Sequence, residues 1–172
     1  MKDMGWPRMR SFGCNFIGDV LAYAPPEGIP GPGDFYYDVN KMLEETYDAI
    51  AREYPKSKKV VIAHSMGTQI SFGFSWRREL SALITMGSPI LYFSLRFKEY
   101  GKFPDVLLKS MFNFWTNRDP VCTRISRNPN LAKCKDVEVP NWNPLNWLPL
   151  RAHSMYFKSD FVHKEIAKIL QM

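Results

Sequence analysis

The sequence predicts an α/β fold, a mostly parallel sheet flanked by helices on both faces. Three observations carry this. Apolar-rich runs of strand length (Val60 to Ala63, Leu83 to Met86, Met111 to Thr116) alternate with segments of helical spacing. Parallel strands need long crossovers, usually helical, and strands covered on both faces read as near-continuous apolar runs. There is no internal repeat and no charged or Ser-rich linker, so residues 1–172 read as a single domain.

The elements follow in order. The first 35 residues are irregular in composition, with Pro25-Pro26 and a Gly-Pro stretch from Gly28 to Gly33; Asn15–Tyr23 is the one candidate helix among them. From Asp38 to Tyr54, the spacing of Val39, Met42, Leu43, Thr46, Tyr47 and Ile50 predicts a helix that Pro55 ends. Strand Lys59–His64, helix Met66–Trp76 and strand Leu83–Met86 come next, then a loop and helix between Ile90 and Ser110. Strand Met111–Thr116, a loop with a short helix, a last strand around Val137–Val139 and a helix from about Ser154 to Leu170 complete the chain.

Size and charge bound the function. A chain of 172 residues buries roughly 70% of its unfolded surface, and 45% hydrophobic content supports a real core. No apolar run approaches the roughly 20 residues that span a bilayer. Met1 to Pro7 has no apolar signal region, so the expectation is a cytoplasmic protein without stable membrane insertion. The net charge is +6, but the basic residues are scattered (Lys56 to Lys59, Arg77-Arg78, Arg124 to Lys135) and do not interleave with aromatics. That excludes a nucleic-acid platform and leaves a basic surface adaptor for anionic polymers as the weakest reading. Cys14, Cys122 and Cys134 are an odd set without C-x-x-C spacing, so no metal is expected. Free thiols are expected, although Cys122 and Cys134 flank a loop and could pair in an oxidising compartment.

The chemistry starts at Ala63-His-Ser-Met-Gly67. A buried strand that ends in a small–x–Ser–x–Gly turn and restarts as a helix sets a hydroxyl on a sharp corner at the carboxyl edge of a sheet. Residues two before and two after the serine approach each other, which calls for small side chains such as Ala63 and Gly67. The helix beyond points amides and the positive end of its dipole at the corner, so the Met66 N–H is placed to donate to a developing oxyanion. A strand and turn with an incidental serine fits the same five residues.

Serine needs a base, and the base needs a carboxylate to orient it. The downstream acids are Asp105, Asp119, Asp136 and Asp160, and the downstream histidines are His153 and His163. Asp119 sits just past the strand Met111–Thr116, on the same sheet edge as Ser65, although Asp-Pro is also a turn initiator. Asp105 and Asp160 read as helix starts, and Asp136 as part of a charged loop. His153 lies on a loop before the last helix, whereas His163 falls within an amphipathic helix. His64, next to Ser65 in the chain, cannot turn its ring onto that serine.

These motifs, together with Leu83-Ile-Thr-Met-Gly-Ser-Pro89, Trp115-Thr-Asn-Arg-Asp-Pro-Val121 and Ala152-His-Ser-Met-Tyr156, resemble the α/β-hydrolase superfamily and its bacterial serine esterases and lipases. The likeness runs from about Phe16 to His163. It implies Ser65 as nucleophile, His153 as general base and acid, Asp119 as orienting carboxylate and Met66 N–H in the oxyanion hole. It also implies a small-molecule ester substrate and no cofactor, and it brings the segment 25–33 and the Trp-rich loop near the site. Trp142, Leu145, Trp147 and Leu148 either line an acyl pocket or pin that loop by packing. The chain departs from the family where a His-Gly loop before the elbow supplies the second oxyanion donor. No His-Gly pair is present, and the first strands are missing or the chain starts late. Arg10 to Asn15 is the candidate substitute. Lys59–His64 is then expected at a sheet edge, covered by the amino-terminal segment or by a second copy of the chain. A hydrolase-fold module kept for binding or assembly is the competing function.

Overall fold

The computed structural model describes residues 34–96, 101–140 and 149–171. The chain divides into two compact units, Met1–Ser57 and Lys58–Met172. In the first, α1 spans Asp34–Glu53, one turn longer at its start than the apolar spacing alone indicates. Pro55 follows closely and cannot extend the helix, because it has no N–H and its ring clashes with the preceding turn.

The second unit is an α/β sheet structure. Its strands are β1 (Val60–His64), β2 (Ala82–Met86), β3 (Met111–Trp115) and β4 (Lys135–Glu138), paired in parallel in the order β1-β2-β3-β4. Helix α2 (Met66–Phe74) makes the β1–β2 crossover, and α3 (Ile90–Arg96) lies between β2 and β3 in the chain. Two short 3-10 turns, Ile125–Arg127 and Pro129–Leu131, connect β3 to β4. The second turn begins with Pro at its first position, and Asn128 caps it by accepting from the Asn130 amide at 3.0 Å.

The sequence reading requires correction at the carboxyl end. The helix expected from Ser154 to Leu170 is a 3-10 turn (Met155–Lys158) followed by α5 (Asp160–Gln171), and an additional short helix, α4 (Pro149–Ser154), precedes them. His153 therefore sits in the last turn of a short helix, not on a loop. The final strand starts earlier than expected, at Lys135.

The faces of the sheet differ in chemistry. Ile84, Met86, Phe112 and Phe114 point to one side and pack with Tyr156 and Val162, joined by Ile166 and Ile169 of α5. On the other side, the register aligns Thr85, Asn113 and Asp136 in one row. The Asn113 side-chain amide donates to Asp136 at 2.7 Å and to the Thr123 carbonyl at 3.0 Å. Asp136 also accepts from the Ile125 and Ser126 amides, each at 3.0 Å, and from the Ser126 hydroxyl. This polar row clamps the β3–β4 connection, which carries Asp119, onto the sheet. Among the described residues β1 is an edge strand, and Ile62 is 48% exposed. The amino-terminal segment, one of its two expected covers, lies outside the described residues.

Candidate active site

Every strand of a parallel sheet delivers its carboxyl end to the same edge, and that edge is where ligands bind in open α/β sheets. Ser65 follows β1, Gly87 follows β2 and Asp119 lies in the loop after β3. Ser65 has φ 54° and is the only non-glycine with positive φ among the described residues. Such a conformation costs on the order of 1–3 kcal/mol and persists only where the surroundings enforce it. Here the Ser65 amide donates to the Met86 carbonyl at 3.0 Å, and the Ser65 carbonyl accepts from the Thr68 amide at 3.0 Å and the Thr68 hydroxyl at 2.6 Å. Thr68 in turn meets the Ser88 hydroxyl at 2.8 Å, which ties the turn to the loop after β2.

Ser65 occupies the cap position of α2, yet its hydroxyl makes no capping bond. It faces His153 Nε2 at 2.8 Å. Met66 and Gly67 open α2, and amides in the first turn of a helix have no helical carbonyl to bond.

His153 Nδ1 lies 3.0 and 2.9 Å from the two Asp119 oxygens. A carboxylate only accepts, so the imidazole proton sits on Nδ1 and Nε2 is left to accept from Ser65. His153 is 4% exposed and Asp119 2%. Burial pushes the Asp119 carboxyl up, but the His153 donor and charge, the Val121 amide and the Tyr156 hydroxyl outweigh it and hold it below its ordinary range. It is therefore ionised where a neutral imidazole can work.

Three participants were not identified from sequence. The Tyr156 hydroxyl donates to Asp119 Oδ2 at 2.9 Å and lies 3.1 Å from the Cys122 thiol, which donates to the Thr116 carbonyl at 3.8 Å. Burial, reinforced by the Asp119 charge, pushes that thiol up to about 12, so it is a structural group and not a reactive thiolate. Gly87 has φ 58°, and a Cβ there would stand 3.0 Å from His153 Cε1 and Nδ1 and 3.1 Å from Asp119 Oδ2. His64 reaches the His153 backbone, 2.7 Å from its carbonyl oxygen. Tyr156 and Gly87 lay within quoted motifs, but nothing local marks their partners.

Position 67 has room for an alanine, a residue as small as Ala63 on the other side of the turn. A Cβ there meets no heavy atom within 4 Å, and the crowded glycine is Gly87. Asp136 is bound into the polar row away from His153, and His163 lies on α5, exposed, with its ring at the Phe157 carbonyl. Cys122 and Cys134 are free and buried. Among the described residues no group of three or more His, Cys, Asp or Glu could hold a metal ion, and no helix is long and apolar enough to cross a membrane. Arg10 to Asn15, Cys14, the segment 25–33 and the loop with Trp142, Leu145, Trp147 and Leu148 lie outside the described residues. No protein-family model, no curated protein and no solved structure matches the chain.

Proposed function

We propose that this protein is a serine hydrolase of carboxylic esters, related in architecture to the α/β-hydrolases, working through an acyl-enzyme intermediate. The observation that carries the reading is one unbroken line of hydrogen bonds, Ser65 Oγ to His153 Nε2 at 2.8 Å and His153 Nδ1 to Asp119 at 2.9 Å, from residues 88 and 34 positions apart. A line with this polarity is what a hydroxyl needs to become a nucleophile.

In the reaction, Ser65 Oγ attacks the ester carbonyl carbon as its proton passes to His153 Nε2. The carbonyl oxygen becomes an oxyanion next to the Met66 amide at the start of α2. Asp119 stabilises the imidazolium and keeps its ring oriented without taking the proton. The imidazolium then protonates the leaving alkoxide, and the acyl group remains on Ser65. Water then gives a proton to His153 as its oxygen attacks the acyl carbon, the bond from that carbon to Ser65 Oγ breaks, and His153 returns the proton to Ser65 Oγ as the acid leaves.

The competing reading, a catalytically weak binding or assembly module, draws on the missing His-Gly loop, since loss of one oxyanion donor costs about 10²–10³ in turnover. Hydrolysis of p-nitrophenyl esters by the wild type and by Ser65→Ala separates the two. Turnover that falls by about 10⁴-fold or more in the variant supports the hydrolase. Equal background rates from two folded proteins support the module.

A further inference from the structure

Taking the hydrolase reading as its basis, we infer that His64 is a positioning residue that fixes the backbone of His153. The imidazole Nε2 of His64 lies 2.7 Å from the carbonyl oxygen of His153. A carbonyl only accepts, so His64 carries its proton on Nε2 and donates. The acceptor belongs to the last turn of α4, where helix carbonyls need partners from outside the helix.

The arrangement makes a two-point hold. Ser65 meets the ring of His153, and the residue immediately before it meets that histidine's main chain. Because His64 and Ser65 share one peptide bond, any slide of the end of α4 past the elbow breaks both contacts together. Asp119 alone does not give this: it fixes the direction of Nδ1 but leaves the main chain free to carry the whole ring towards or away from Ser65. Reacting atoms must meet within a few tenths of an ångström, and a misplacement of 1 Å costs about 10²-fold in rate.

The surroundings of His64 favour a fixed ring. It is half-buried, tilted by 42° against the His153 ring with centroids 4.6 Å apart, and edge-on to Phe157 at 4.9 Å. Desolvation, opposed by the bond to the His153 carbonyl, leaves its pKa below 6.5, so the ring is neutral at pH 7. His64 adjoins Ser65 in the chain, but its ring is turned to the main chain of His153: it holds the base, not the nucleophile.

The test compares substitutions that keep volume but differ in the donor, with p-nitrophenyl ester turnover as readout and Ser65→Ala assayed alongside. His64→Phe keeps the aromatic packing and removes the N–H; it is expected to lower kcat by about 10–100-fold with KM unchanged within about twofold. His64→Gln offers an amide N–H at similar reach and is expected to recover most of kcat. Should His64→Phe not fold, His64→Met against His64→Gln gives the same contrast of an absent and a present donor. Wild-type kcat in the donorless variant, or equal losses in the donorless and Gln variants, overturns the inference. A Ser65→Ala protein that still turns over fails the hydrolase reading instead, and the two failures are distinct.

Discussion

Two aspartates stand beside the same sheet with opposite fates. Asp136, at the end of the polar row, accepts from the Asn113 side chain, two backbone amides and the Ser126 hydroxyl. Asp119, beyond β3, accepts from the Val121 amide, the Tyr156 hydroxyl and the His153 imidazole. Both carboxylates are saturated with donors, so saturation alone does not mark chemistry. What separates them is the far side of one donor. The imidazole on Asp119 has a second nitrogen facing a serine, whereas every donor on Asp136 ends in the fold.

The sharpest way to break this contrast is to remove each charge in turn. Asp119→Asn is expected to lower kcat by roughly 10⁴-fold, because the amide stabilises the wrong imidazole tautomer. Asp136→Asn is expected to leave kcat nearly unchanged and to lose about 1–3 kcal/mol of stability through disrupted bonds. Steady-state kinetics and denaturant unfolding of both variants check the pair, and similar kinetic losses would erase the distinction.

The glycines give the next contrast. Gly87→Ala forces a methyl against His153 and Asp119 at a left-handed backbone position, so a kcat loss of about 10²-fold is expected. Gly67→Ala meets open space at the start of α2 and is expected to keep wild-type kcat, with stability raised by up to about 1 kcal/mol.

The smallest effect concerns Tyr156. Its hydroxyl helps hold the Asp119 carboxyl below the ordinary value of 3.8. A depressed acid stabilises the fold above its unfolded pKa, and that contribution is lost as pH falls through the folded value. Tyr156→Phe moves the folded value up towards the unfolded one and removes a bond to a charged group worth about 1.5–3 kcal/mol. Unfolding temperatures followed in an acid titration are expected to decline from a higher pH in the variant than in the wild type.

Legibility followed the range of the interactions. The elbow, β2 and β3 were readable because apolar runs and a small–x–Ser–x–Gly turn are local signals. Asp119 and His153 were readable as candidates because strand ends share one edge of a parallel sheet. β4 starts two residues before the apolar signal at Val137, since Lys135-Asp-Val-Glu138 carries charge where the inner strands carry apolar residues. The helical start at Pro149 carried a usable sign, proline at a first helical position, but the surrounding Trp-Pro composition masked it. Tyr156, Gly87 and His64 escaped because each acts on a partner between 32 and 89 positions away, through tertiary packing that no periodicity encodes.

The most direct measurement is peptide mass mapping of the folded protein after treatment with a fluorophosphonate. A single adduct on the peptide containing Ser65, formed at a rate that collapses in His153→Ala, is the result this account requires. Adducts on other residues only, or labelling of Ser65 that is indifferent to the loss of His153, would contradict it.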